Sequence, residues 1–141
     1  MRLPLLYPAW LIAIVATLGS LYFSEVRMFV PCVLCWYQRI LMYPLVLILG
    51  VTTYRQDGRA FAYSLPLSLL GALVALYHVL DQNIPGFGSA VVCRGGVPCS
   101  AKYINWLGFI SIPVLSLGAF TAISVLLIIS RQRARAAATS A

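Results

Sequence analysis

The sequence predicts an all-α membrane protein, a four-transmembrane-helix bundle with two outer loops that each carry a cysteine pair. Three observations carry this expectation. Of 141 residues, 62% are apolar and only 9% are charged, against roughly 25% charged in an ordinary soluble domain. Four apolar runs are each close to the roughly 20 residues that a helix needs to cross the hydrocarbon core. All four cysteines fall between those runs. The length suits a single domain over 1–141.

The first run, 5–23, contains no charge. The second, 36–54, contains one, Arg39, in its first turn. The third, 61–80, is interrupted only by Pro66 and His78, and the fourth, 107–130, has Pro113 near its start. Proline is tolerated in such helices because neighbouring helices and local backbone adjustment satisfy the freed groups. Buried helices of a soluble protein would show a polar stripe every three to four residues. The stretches 13–18, 45–51 and 125–129 are apolar almost all round. The first run is longer than a signal-peptide core and lacks a clear small-residue cleavage site, so it is expected to be retained.

Charge placement sets the expected orientation. Ten Lys+Arg against three Asp+Glu give a net charge of +7. The basic residues sit in the gaps between runs and form no single polar face, which argues against nucleic acid as a partner. Four spans put Arg2, Arg55, Arg59, Arg131, Arg133 and Arg135 on one side and Arg27, Arg94 and Lys102 on the other. Basic residues concentrate on the cytoplasmic side, so both termini are expected there. The Arg131–Arg135 tail then serves orientation and contact with lipid headgroups. A tight cytoplasmic turn is expected at Asp57-Gly58. Trp10, Tyr22, Trp36, Tyr37, Tyr77, Tyr103 and Trp106 lie near run ends, as interfacial anchors do.

The outer side holds the chemistry. Cys32 and Cys35 form a C-x-x-C at the mouth of the second run, and Cys93 and Cys99 lie in the long second outer loop. All four would face the compartment where disulfides persist. A structural framework is one reading, but a lipid-supported bundle has less need of staples. A four-thiolate zinc site is a second, but the second tight knuckle is missing, so no metal site is expected. A redox relay is the third and the favoured one. A cysteine at a helix N-terminus has its thiolate favoured by the exposed N–H groups and the macrodipole. Arg39 stands four residues after Cys35, one turn along the same face. An arginine inside a membrane helix marks a functional site by default. Gln38 could hydrogen-bond a carbonyl ligand. His78, at the outer end of the third run, could donate a hydrogen bond or proton to a bound oxidant.

The stretch Pro-Cys-Val-Leu-Cys-Trp-Tyr-Gln-Arg at 31–39, the Cys93–Cys99 pair, and Trp106-Leu107-Gly108-Phe109 with Pro113 together resemble the bacterial disulfide-bond formation protein B (DsbB) family. The Cys-Arg-Gly-Gly-Val-Pro-Cys segment at 93–99 looks closest to its BdbC branch. The resemblance implies a quinone-dependent thiol oxidase of the bacterial cytoplasmic membrane. Its partner would be an extracytoplasmic thioredoxin-fold oxidase with its own C-x-x-C, and its cofactor a quinone, ubiquinone or menaquinone. It further implies that Cys93 is attacked by the reduced partner, that Cys99 exchanges with Cys32, that Cys35 faces the quinone, and that Arg39 holds it, with Gln38 and His78 as further cofactor contacts. An enzyme of the vitamin K epoxide reductase type is the competing enzyme reading, but there the C-x-x-C lies on the last helix. A permanently stapled membrane anchor or assembly factor is the non-enzyme alternative.

Overall fold

The computed structural model describes residues 4–84, 86–87, 96–100, 102, 108 and 110–140. The described residues form four long helices: α1 (Leu6–Leu21), α2 (Val33–Arg55), α3 (Ala60–Asn83) and α4 (Ile112–Thr139). A π-helical turn, Tyr22–Val26, prolongs α1. Each of the four spans is long and apolar enough to cross a membrane. The chain is a multi-pass membrane protein.

The helices pack in a ring that follows chain order, with α1 on α2, α2 on α3, α3 on α4, and α4 back on α1. Leu6, Ala9, Ala13, Leu45, Leu49, Phe120, Ile123 and Leu127 are fully enclosed in the centre. The outward faces stay apolar, as lipid requires: Leu18, Leu47, Leu73 and Val125 are exposed. Water-driven burial does not hold such helices together, and close backbone packing does much of that work. The seam between α3 and α4 illustrates it. Gly71 lets the Phe120 ring approach so closely that a Cβ there would lie 2.1 Å from Cε1 of the ring. One turn away, Ser124 Oγ lies 2.9 Å from Ser68 Oγ.

Several helix ends differ from the apolar runs, each for a local reason. α2 begins at Val33 because Cys32 is its N-cap, with extended backbone and a sulfur that accepts the Cys35 N–H. Both cysteines of the first pair therefore belong to the helix start. α4 begins at Ile112 because Gly108, at φ 82°, is in a turn and Ser111 is extended. Pro113 then occupies the first turn, where its missing N–H has no helical partner to lose. At its other end α4 runs on to Thr139 through Arg and Ala, both good helix formers. The α2–α3 turn forms as expected, but Gln56 rather than Gly58 takes the left-handed conformation, at φ 51°. Its amide donates to the Thr53 carbonyl at 2.6 Å, and Asp57 Oδ1 accepts the Arg59 N–H at 2.9 Å. Trp10 is turned into the bundle, where its indole N–H donates to the Val46 carbonyl at 3.1 Å.

Candidate functional site

The start of α2, the end of α3 and the second cysteine segment converge at one end of the bundle. Cys32 and Cys35 are free thiols whose sulfurs lie 3.0 Å apart in a hydrogen bond. A cysteine at the N-cap and another at the third helical position face each other across the first turn. This is the geometric reason for two intervening residues. Cys99 is disulfide-bonded and buried in one cluster with Cys32 and Leu34. Cys93 lies outside the described residues.

The two sulfurs of the first pair face different surroundings. Cys32 Sγ points toward α3, where His78 Nε2 lies 3.7 Å away. The same nitrogen lies 3.1 Å from the Cys99 carbonyl oxygen. His78 Nδ1 lies 2.9 Å from Gln38 Nε2. These contacts are mutually consistent when the Gln38 amide donates to Nδ1 and the Nε2–H donates to the Cys99 carbonyl. The Gln82 amide reaches that same carbonyl at 3.4 Å. His78 is 1% exposed and Gln38 7%, so this polar chain runs through the interior between α2 and α3. The Cys32 thiol is pulled down to about 4. The hydrogen bond from Cys35 stabilises the thiolate most, against the opposing effect of burial, and His78 and the Cys35 N–H add to it.

Cys35 opens the other way, into a cavity of about 510 Å³ bounded by α1, the segment 29–31, α2 and α4 and open between the exposed side chains of Val15 and Leu115. Its walls are almost wholly apolar, including Leu11, Val15, Phe23, Met42 and Leu115. Among the described residues the polar groups that reach it are few: Cys35, Gln38, Arg39, Tyr43, Ser20 and Ser116. That volume and balance are those of a site for an organic molecule, with an apolar body and a few orienting groups. Arg39 is held in place from α1. Its Nη2 donates to the Ser20 carbonyl at 3.0 Å, and its guanidinium lies 5.6 Å from the Trp36 ring centre. The helix widens to a π turn soon after Ser20, and such turns recur at functional sites.

The structure thus brings Cys32, Cys35, Cys99, Gln38, Arg39 and His78 into one region and divides them between two sides. Cys35, Gln38 and Arg39 line the cavity, whereas His78 stands behind the pair, beside Cys32 and Cys99. Gln38 touches both sides. The α1 wall, Gly19 and Ser20 above all, was not singled out by sequence reasoning. Small residues also stand earlier in that run, at Ala9, Ala13 and Ala16, so Gly19 and Ser20 carry no distinguishing signal.

The sequence profile of the family described as "Disulfide bond formation protein DsbB" matches residues 3–130. The chain is 56% identical over 124 residues to Disulfide bond formation protein C of Bacillus subtilis (strain 168), covering 88% of this chain and 90% of that one. It is 52% identical over 120 residues to Probable disulfide formation protein C 1 of Bacillus anthracis, covering 85% and 86%. A Probable disulfide formation protein of Oceanobacillus iheyensis is 49% identical over 140 residues, covering 94% and 93%. No solved structure gives a significant match. A C-x-x-C with a buried, thiolate-prone Cys32 at the mouth of a membrane helix, beside a further disulfide-bonded cysteine, is the chemistry those names describe: the chain belongs to the DsbB family of disulfide bond formation proteins.

Proposed function

We propose that this membrane protein reoxidises an extracytoplasmic thioredoxin-fold dithiol oxidase and delivers the electrons to a membrane quinone. The observation that carries the reading is the division of the first pair. Cys35 lines the apolar cavity, and Cys32, 3.0 Å away, faces the Cys99 segment. Electrons entering at one sulfur leave beside the other. The positive-inside count supports cytoplasmic termini, which puts the cysteine end on the outer side with the soluble partner.

The exchange sequence balances. A thiolate of the reduced partner attacks Cys93 of the Cys93–Cys99 disulfide, the partner's second thiol resolves the mixed disulfide, and Cys93 and Cys99 are left as thiols. The Cys99 thiolate attacks Cys32 of the Cys32–Cys35 disulfide, and Cys35 departs as a thiolate at the cavity. Cys93 then attacks Cys99, which restores the second-loop disulfide and expels Cys32. A thiol of low pKa leaves faster, and the lowered Cys32 thiol serves that last departure. His78 and Gln82 hold the Cys99 carbonyl, which keeps the attacking segment against Cys32. The cavity fits a quinone: its walls suit an isoprenoid tail, and Arg39 and Gln38 supply donors for ring carbonyls. A bound quinone supplies a two-electron, two-proton sink. About 30 mV shifts such an equilibrium by about 1.4 kcal/mol, so a modest difference in potential draws the earlier exchanges forward.

The test is quinone reduction by the purified protein, with a reduced thioredoxin-fold C-x-x-C oxidase as electron donor and ubiquinone or menaquinone as acceptor. Stoichiometric reduction is expected from the native chain and none from Cys32→Ser or Cys35→Ser, both of which still insert. No reduction by folded native protein with either quinone would instead support a permanently stapled anchor. Normal turnover by either variant would remove the relay.

A further inference from the structure

Cys32, Cys35 and His78 bring two sulfurs and one ring nitrogen within 4.8 Å of one another. We propose that in the reduced state these three side chains form a binding site for a zinc-class cation, and that its occupation holds the pair out of disulfide exchange. The second half rests on the function proposed above, whereas the site itself stands without it.

The donor set is that of a borderline-soft metal, two thiolates and an imidazole. Tetrahedral Zn²⁺ with bonds of about 2.3 Å to sulfur and about 2.0 Å to nitrogen sets its donors roughly 3.5–3.8 Å apart. Cys32 Sγ and His78 Nε2 already stand at 3.7 Å. The two sulfurs, at 3.0 Å, need to spread by about 0.7 Å to meet that geometry, within the reach of a small side-chain rotation. Cys32 and Cys35 are also fixed by helix geometry, at the N-cap and in the first turn of α2.

Two further features complete the site. A metal-bound histidine almost always anchors its other ring nitrogen on a polar partner, and His78 Nδ1 already has one in Gln38 at 2.9 Å. Rotating the Gln38 amide presents Oε1 to an Nδ1–H and frees the Nε2 lone pair for the metal, and the Cys99 carbonyl, which gives up the Nε2–H, keeps the Gln82 amide as its donor. A small void of about 20 Å³ adjoins Cys32, Cys35, His78 and Gln82. A water needs roughly 10–15 Å³ measured this way, so a fourth, solvent ligand has room. Two thiolates cancel the charge of a divalent cation, and a neutral centre suits a buried position.

Binding is acid–base chemistry with no electron transfer. The cation takes the two sulfurs as thiolates and the thiol protons go to solvent. Oxidation of the pair to a disulfide removes both thiolates and dismantles the site. The cation is therefore captured only by reduced protein and competes with re-formation of the Cys32–Cys35 disulfide.

The experiment titrates Zn²⁺ into the full-length detergent-solubilised protein against a chromophoric chelator, in the reduced and the oxidised state. One Zn²⁺ per chain is expected for the reduced form and none for the oxidised form. His78→Ala should weaken binding by about tenfold or more. X-ray absorption of the native zinc form should count two sulfurs and at least one nitrogen, which tests the site without any variant. Equal affinity in both redox states, an unchanged affinity for His78→Ala in folded protein, or a sulfur-free shell would each overturn the site. Zn²⁺ should also stop quinone reduction, and chelator should restore it. Tight binding without that inhibition would overturn the regulatory half. Because binding is read without turnover, a protein that never reduces quinone still tests the site.

Discussion

The two sides of α2 are built oppositely. Toward α3 the bundle is filled, and the filling continues along the α3–α4 seam: His78 and Gln38 pair in the interior, Phe120 lies against the bare backbone of Gly71, and Ser124 meets Ser68. Toward the later turns of α1 and the start of α4 it is hollow, with a cavity of about 510 Å³ beside Arg39 and Cys35. Two glycines show the difference. A Cβ at Gly71 would lie 2.1 Å from the Phe120 ring, whereas at Gly19, on the cavity wall, it would meet nothing within 4 Å. The filled side holds the helices together and fixes Cys32. The hollow side leaves Cys35 on the wall of a cavity, which the proposed function fills with a quinone. A bundle closed on both sides would leave no room for the proposed electron acceptor beside Cys35.

The largest expected effect tests the filled side at Cys32. Hydrogen bonds from Cys35, His78 and the Cys35 N–H hold its thiol at about 4, against about 8.5 for an ordinary cysteine. The folded pKa is depressed, so the thiolate is present above it and is lost only as pH falls through about 4. Alkylation of Cys32 in reduced, chelator-treated protein is therefore expected to keep its rate from pH 8 down to about pH 5. An ordinary thiol loses roughly tenfold for each pH unit over that range. Parallel loss of rate with pH would show that the polar contacts of the filled side leave Cys32 unactivated.

Next in size is the seam. Gly71→Ala puts a methyl group into space that the Phe120 ring occupies, and overpacking of this kind costs about 1–3 kcal/mol. A lower thermal midpoint in detergent is expected, and an unchanged one would mean that the seam is as loose as the cavity side. The matched substitution is Gly19→Leu. It should leave the midpoint unchanged and raise the quinone KM about tenfold, the scale of a steric mismatch in an apolar pocket. Arg39→His should also raise the quinone KM more than it alters reaction with the protein partner, since Arg39 lines the cavity and, among the described residues, is not part of the wall around Cys32, His78 and Pro98. An unchanged KM in both variants would remove the ligand from the cavity.

Much of this was readable from the residues. The spans follow from apolar run length, and the C-x-x-C at a helix mouth with Arg39 one turn later marks the site without coordinates. Other features were hidden for physical reasons. Residues that face lipid and residues that face an apolar cavity have the same composition, so the α1 wall does not stand out from the run that contains it. Trp10 looked like an interfacial anchor, because nothing local reveals that its indole N–H meets Val46, 36 positions away. His78 carried the right chemistry for either side of the pair. Which side it takes depends on how α2 and α3 are rotated against each other, and the Gln38–His78 contact records the outcome. The late start of α4 was readable in principle, since Ser111 before Ile112-Pro113 is a helix-start pattern. Hydropathy, which ignores caps, overrode it.

The smallest expected effect separates packing from hydrogen bonding within the filled side. Ser124 Oγ lies 2.9 Å from Ser68 Oγ and 2.8 Å from the Phe120 carbonyl, and Ser68 Oγ also donates to the Leu65 carbonyl at 3.0 Å. Each hydroxyl has one proton and a carbonyl of its own helix in reach. Loss of the interhelical bond therefore leaves Ser68 with a partner. Ser124→Ala is expected to cost about 0.6 kcal/mol, the average for side-chain hydrogen bonds between membrane helices. That is less than the cost at Gly71, although both positions lie on the same seam. If the order were reversed, with Ser124→Ala the more damaging, directional bonding would be holding α3 to α4. The contrast between a filled and a hollow side would then rest on polar contacts instead of close backbone approach.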